Sequence, residues 1–331
     1  MSQVPEYINN WITIIEEMVN DNTYKLAWGR AIIECSREKV YQNDTKLVIK
    51  YDDISECMLK YYWNQIFFFN LKQAPYKDKE PYICQYTKEL IDKYKEMKNT
   101  KIPCWFEEAR IFFNKTNKSF YENIIKKISK VLPTNVAYRF LNVNKSEINP
   151  SGCLNVYRFE RGLNYIEFNY DELELLRDYD VIVSKLLNYK WAQLLEKFNY
   201  APKIASKVNG ISEAKLRRSS LLKFKEALLK EFEGYSPIDF YTGEKLDDND
   251  ISVDHVIPWS FMYSDDIWNL VLTSKSKNSS KSNRIPSEEI IEKLKKRNLQ
   301  LKDLLEDKLK DDLELAIKND LVDKYYYDCR L

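Results

Sequence analysis

Ser252-Val-Asp-His-Val-Ile-Pro-Trp-Ser-Phe261 is followed by Asp265-Asp-Ile-Trp-Asn-Leu-Val-Leu-Thr273 and then by Lys277-Asn-Ser-Ser-Lys-Ser-Asn-Arg-Ile-Pro286. This stretch holds the only histidine of the 331 residues, His255, directly after Asp254 at the end of a β-rich run. Upstream, Phe240-Tyr-Thr-Gly-Glu-Lys-Leu246 carries a turn at Thr242-Gly243, and Ile251 to Ile257 reads as the following strand. Lys277 to Ser282 reads as the start of a helix that crosses back over the strands. In that ββα arrangement Asp254 at a strand end and Asn278 on the helix converge on one ion. Two oxygen ligands completed by phosphate oxygens and water suit Mg²⁺, or Mn²⁺ in its place.

His255 leaves the strand on the face opposite to Asp254 and is therefore expected to be a general base and not a second ligand. A neutral imidazole, with an ordinary pKa of about 6.5, can take a proton from an attacking water at cellular pH. Asn269 is expected to support the site by tying its loop. Lys281, Arg284 and Lys277 are suited to phosphate or DNA contacts. A bare Asp-His pair is usually just a polar pair at a strand end. What lifts this one is the whole constellation: Asp-His-x-x-Pro, Asn-Leu-Val and Asn-x-x-Lys-Ser in order.

The remainder is mostly helical. Apolar residues at Ile8, Trp11, Ile12, Ile15 and Val19 predict a first helix, and Leu26 to Glu38 a second. Lys46 to Tyr51 alternates like a strand, with Asp52 or Asp53 placed to cap the next helix. That helix carries Tyr61, Tyr62, Trp63, Phe67, Phe68 and Phe69, which read as buried core ahead of a base-stacking platform. Gln73 to Pro81 reads as a loop. Helices are expected over Thr87–Met97, Trp105–Phe113 and Tyr121–Val131. From Asn135 to Asn169 three short strands are expected, with breaks at Pro150-Ser-Gly and Arg161-Gly. Helices resume from Asp171 to Phe198, over Ser212–Phe232, and after Pro286 to about Asn319. The fold class expected is α+β, with a mainly helical N-terminal domain bearing a small antiparallel sheet (1–200). The second domain (201–331) has its motif core at 237–289.

Composition narrows the rest. Apolar residues make up 44% and aromatic residues 14%, enough for real cores. The net charge of +1 gives no global pull on a polyanion. Charge is nevertheless clustered: Lys203, Lys207, Lys215, Arg217, Arg218, Lys223, Lys225 and Lys230 face only Glu213 and Glu226, and Lys275, Lys277, Lys281 and Arg284 have no acid between them. Local grip on a phosphate backbone and a solvated helix face are both open readings of the first cluster. Cys35, Cys57, Cys84, Cys104, Cys153 and Cys329 form no close pair and read as reduced, buried thiols. No run approaches the roughly 18 apolar residues of a membrane span. The start lacks the order of a signal peptide, so no membrane association and a cytoplasmic location are expected.

The stretch from about Pro237 to Glu289 resembles HNH endonucleases of the ββα-metal type. Val-Asp-His-Val-Ile-Pro-Trp-Ser-Phe, Val-Leu-Thr, Lys-Asn-Ser-Ser-Lys-Ser and Ile-Pro-Ser-Glu-Glu are especially similar to the HNH domain of RNA-guided type II CRISPR effectors. The resemblance implies Asp254 and Asn278 as metal ligands and His255 as general base. Many HNH domains also hold structural zinc on two Cys-x-x-Cys knuckles. Here those places hold Asp239 and Thr242, and Ser274 and Lys277, so structural zinc is not expected. More loosely, the first 200 residues resemble those of standalone bacterial HNH proteins, with Tyr-Tyr-Trp-Asn-Gln-Ile as the shared run. Such proteins are often associated with restriction or antiviral defence.

The resulting expectation is a magnesium- or manganese-dependent DNA endonuclease. Residues 1–200 would sense DNA, a partner protein or an activating signal, and a double-strand cut from one site per chain favours a homodimer or sequential nicking. Two alternatives stand beside it: a non-catalytic nucleic-acid-binding or assembly subunit that keeps the finger as scaffold, and a nuclease acting on RNA.

Overall fold

The computed structural model describes residues 4–43, 45–75, 80–142, 154–199, 201–209 and 220–330, with the side chains of Asn209 and Asp307 left aside. The expected break at Pro150, the thiol of Cys153, the start of the helix at Ser212 and the basic residues Lys215, Arg217 and Arg218 lie outside them. The chain divides into two compact units. One is built from Met1–Thr100, Cys104–Asn199 and Ile204–Ala214, the other from Lys101–Pro103, Tyr200–Lys203 and Lys215–Leu331.

The first unit is a helical assembly with one small sheet, the α+β class expected. Helix α1 (Glu6–Glu17) buries Ile8, Trp11, Ile14 and Ile15, one stripe at helical spacing. Helix α2 (Tyr24–Glu38) buries ten of its fifteen residues. Its Gly29 lies where an added Cβ would come 3.0 Å from the ring of Phe140, so any larger residue would have to push that ring aside. Strands β1 (Tyr41–Asn43), β2 (Lys46–Lys50) and β3 (Tyr165–Phe168) pair antiparallel in that order. Helix α3 (Tyr51–Trp63) continues into a π-helical turn at Asn64–Phe68. Its cap is Lys50, while Asp52 and Asp53 sit in the first turn, where they favour the helix dipole instead of capping. Tyr61, Tyr62 and Trp63 are 0% exposed, the core reading of the aromatic run. The unit is completed by α4 (Tyr82–Lys98), α5 (Phe106–Thr116), α6 (Lys118–Leu132), α7 (Tyr138–Leu141), α8 (Tyr170–Asp178), α9 (Asp180–Glu196) and α10 (Ile204–Asn209).

The strand expected at 137–143 is instead a π-helical turn, Pro133–Ala137, running into α7. Val136, Ala137, Phe140 and Leu141 are the buried members, a helical spacing that the aromatic and β-branched composition had masked. Of the three expected strands in this region, the last forms as β3, and residues 155–159 contribute only an isolated bridge from Arg158 to Glu167. Lys207, counted among the basic cluster, is wholly buried. Desolvation pushes its pKa down to about 7, so it is no phosphate contact.

The second unit surrounds a two-stranded antiparallel sheet, β4 (Ile251–His255) and β5 (Leu270–Ser274), in which Asp254 faces Val271 and His255 faces Leu270. Helices α11 (Leu222–Leu229), α12 (Trp259–Met262), α13 (Lys275–Lys281), α14 (Glu288–Leu301), α15 (Asp307–Lys318) and α16 (Leu321–Arg330) flank it. Their apolar faces, with Leu228, Ile291, Leu294, Leu313 and Tyr326, join Val256, Ile257, Trp268 and Leu270 in one core. Helix α16 lies past the end expected from the sequence. The crossing helix α13 begins at Lys275, two residues before the expected start, because Ser274 caps it by accepting the Lys277 N–H at 3.2 Å. Among the described residues no helix is long and apolar enough to cross a membrane.

Candidate active site

The β4–β5 pair is short, and two strands alone are marginal in water. Directional bonds from side chains to backbone make it rigid. Asp239, 3% exposed, is the hub. Its Oδ1 accepts the N–H groups of Tyr241 (2.8 Å) and Thr242 (3.0 Å), and its Oδ2 accepts the Thr273 hydroxyl (2.7 Å) and the Ser274 N–H (2.9 Å). Burial works to raise this carboxyl's pKa, but the four donors outweigh it and hold the pKa below the ordinary carboxylate value. The places where many HNH domains carry two cysteine knuckles are thus joined by one ionised carboxylate. Gly243, at φ +76°, closes the turn from which Asp239 reaches β5.

At the end of β4, Asp254 and His255 present their side chains to different partners. Asp254 Oδ2 accepts the Tyr241 hydroxyl at 2.6 Å and lies 3.0 Å from the Lys281 ammonium. Burial, reinforced by the charge of Asp254, drives the Tyr241 pKa well up, so the phenol stays a donor. Lys281 also donates to the His255 carbonyl at 2.6 Å. Its pKa is lowered by desolvation, which the Asp254 charge only partly offsets. Lys281 therefore compensates Asp254 here and does not stand free in solvent as the phosphate role pictured it. Lys277 and Arg284 are exposed.

Asn278 donates its amide hydrogens to Ser252 Oγ (2.8 Å) and to the Val253 carbonyl (3.2 Å), the two residues before Asp254. That leaves its carbonyl oxygen as the remaining polar atom, beside the Asp254 strand end. Asn269, 1% exposed, closes a reciprocal pair on Ile257: its Oδ1 accepts the Ile257 N–H at 2.8 Å and its Nδ2 donates to the Ile257 carbonyl at 2.9 Å. The loop after His255 is thereby locked to the start of β5. His255 Nε2 lies 2.9 Å from Asp265 Oδ1.

Asp254, His255, Asn278, Asn269 and Lys281 are thus brought together, while Lys277 and Arg284 remain at the surface of and beyond α13. Sequence reasoning missed three contributors: Asp239, Tyr241 and Asp265. Only Asp265 carried a signal, as an acidic residue in the loop between the two halves of the motif.

The residues fit a hard divalent cation. Asp254 and the free carbonyl of Asn278 are oxygen donors of the right type. Among the described residues no three His, Cys, Asp or Glu side chains cluster, so an all-protein cage is not built here.

Residues 239–287 match the sequence profile of the HNH endonuclease family. Two relatives share 43% identity over 60 residues: the CRISPR-associated endonuclease Cas9 of Streptococcus mutans and that of Listeria innocua. Each match covers 17% of this chain and 4% of the relative, so the likeness is that of one domain. No solved structure matches the chain significantly. The second unit therefore carries an HNH endonuclease domain like those of type II CRISPR effectors. HNH nucleases as a class depend on divalent metal.

Proposed function

We propose that the chain is a divalent-metal-dependent endonuclease that hydrolyses DNA phosphodiester bonds, acting in bacterial restriction or antiviral defence. Residues 201–331 form its nuclease domain, and residues 1–200 its recognition or regulatory domain. The observation that supports this reading is that Asp254 and His255 end strand β4 while Asn278 and Lys281 tie helix α13 to that same strand, with Asn269 locking the loop that follows.

Asp254 and Asn278 would hold the ion, Mg²⁺ or Mn²⁺, whose chemistry is to polarise the scissile phosphate and stabilise the leaving oxygen. Every other part is played by the chain. His255 accepts the proton of the attacking water. Tyr241 holds the Asp254 carboxylate in place by donating to Oδ2. Lys281, paired with Asp254 and the His255 carbonyl, would have to give up that pairing to meet a substrate phosphate. Lys277 and Arg284 meet the flanking backbone as surface charges.

Supercoiled plasmid incubated with the native protein and Mg²⁺ or Mn²⁺ should be nicked or linearised. His255→Ala should lower the rate about 10²–10⁴-fold, the contribution of a general base, and EDTA should stop cleavage. Undiminished cleavage by His255→Ala would refute the assignment of the base. Cleavage of RNA and not DNA, in the same assay, would replace the substrate.

A further inference from the structure

Asp265 is an acidic side chain that no catalytic role above uses, and its placement is over-determined. The short helix α12 ends at Tyr263, whose φ of +55° is a left-handed conformation costly for a bulky residue. That reversal turns the chain back toward β4. The Ser264 hydroxyl donates to Asp266 at 2.5 Å, and the Asn269 N–H donates to the Asp266 carbonyl at 2.9 Å. With the Asn269 side chain on Ile257, both ends of the loop are fixed, and Asp265 is delivered to the imidazole.

The pair is sheltered: the His255 and Asp265 side chains are 8% and 18% exposed. Among the described residues no Lys or Arg pairs with Asp265, so its charge faces the imidazole alone. The neighbouring Asp266 is taken up by Ser264. Lys281, the nearest buried cation named above, pairs with Asp254 instead. His255 Nδ1 carries no hydrogen bond to any described residue.

We propose that Asp265 is the positioning residue of the nuclease site, fixing His255 in the tautomer that has its proton on Nε2 and its lone pair on Nδ1. This rests on the endonuclease reading for its consequence, though not for its test. A carboxylate can only accept from a neutral imidazole, so it selects the Nε2–H form and pins the ring plane. Nδ1 is then the basic atom. When water attacks, its O–H bond breaks and the proton passes to Nδ1. Asp265 stays ionised and stabilises the imidazolium at 2.9 Å. A carboxylate that merely stapled the loop would set the same tautomer, so the loss of kcat at unchanged KM in Asp265→Ala is what separates the two roles.

Because His255 is the only histidine, its ring gives a single set of nitrogen signals that needs no assignment. A long-range ¹H–¹⁵N correlation spectrum of the full native chain should show the Nε2–H tautomer. Asp265→Ala should show a mixture of tautomers, and Asp265→Asn, whose amide can accept from Nε2–H or donate to a bare Nε2, should fall between it and the native form. In cleavage, Asp265→Ala should lose about 10–100-fold in kcat, the usual effect of removing an orienting partner, with KM little changed. Asp265→Asn should fall between. An Nδ1–H tautomer in the native chain would overturn the proposal, as would an Asp265→Ala variant equal to or faster than native. The spectrum is read without substrate. A native protein that cuts nothing would thus sink the nuclease reading while the tautomer still decides the role of Asp265.

Discussion

The aromatic core of the first unit and the β4–β5 finger of the second, which adds polar anchors to its own apolar core, illustrate different physics. In the first, Trp11, Trp28, Trp63 and Trp191 are all 0% exposed, and Trp63 meets the rings of Phe67, Tyr94 and Phe106 at centroid distances of 5.3, 5.6 and 6.3 Å. In the second, the finger is held by polar side chains on backbone atoms. Asp239, Asn269 and Asn278 have been described, Arg297 donates to the Leu270 carbonyl at 2.6 Å, and Asn298 donates to the Trp268 carbonyl at 2.8 Å. Ring burial is strong and non-directional, so it sets stability while tolerating small displacements. Hydrogen bonds to backbone have a direction, so they place a strand end within the tolerance that proton transfer needs. Each unit also leaves buried side-chain atoms without a partner among the described residues, Gln65 Nε2 and Oε1 in the first and Arg297 Nε and Asn298 Oδ1 in the second.

That contrast can be broken. Trp63→Ala should cost about 3–5 kcal/mol, the range for deleting a buried aromatic, in the denaturant transition of the first unit. Asp239→Ala should cost the second unit about 2–3 kcal/mol, since it strands buried backbone donors and removes a charged acceptor. Asp239→Asn should cost less. If Asp239→Ala proved the costlier of the two, the division between a ring-packed core and a bond-anchored finger would fail. A pH titration sharpens it. The Asp239 pKa is depressed in the folded state, so its stabilisation is fully present above the ordinary carboxylate range and is lost as pH falls through the depressed value. Acid should therefore loosen the finger in the native protein, and Asp239→Asn should flatten that dependence. The smallest effect expected is a gain: Gln65→Met, which removes two unpartnered polar atoms at similar volume, should stabilise the first unit by about 1 kcal/mol. A loss there would show that Gln65 has a partner in solution.

Much of the site was legible because its parts lie in one run, residues 252–286, with chemistry-bearing types at ordered intervals. The helices of the first unit were legible where the apolar period was regular, as in α1. The period was obscured at 137–143, where Tyr138, Phe140 and Val143 imitate a strand in the sequence, and burial of Val136, Ala137, Phe140 and Leu141 together chose the helical form.

The sequence by itself determined the donor types: one imidazole, a carboxylate before it, a carboxamide on the following helix, and no cysteine at the knuckle positions. Tertiary structure alone decided their partners. Tyr241 meets Asp254 across 13 residues, Asp239 meets Ser274 across 35, and Lys281 reaches the His255 carbonyl across 26. Periodicity reports which face a residue occupies, but it is silent on which distant group will stand opposite. Closing the β4–β5 pair makes that choice, and it turned Lys281 inward and set Asp265 against the only histidine.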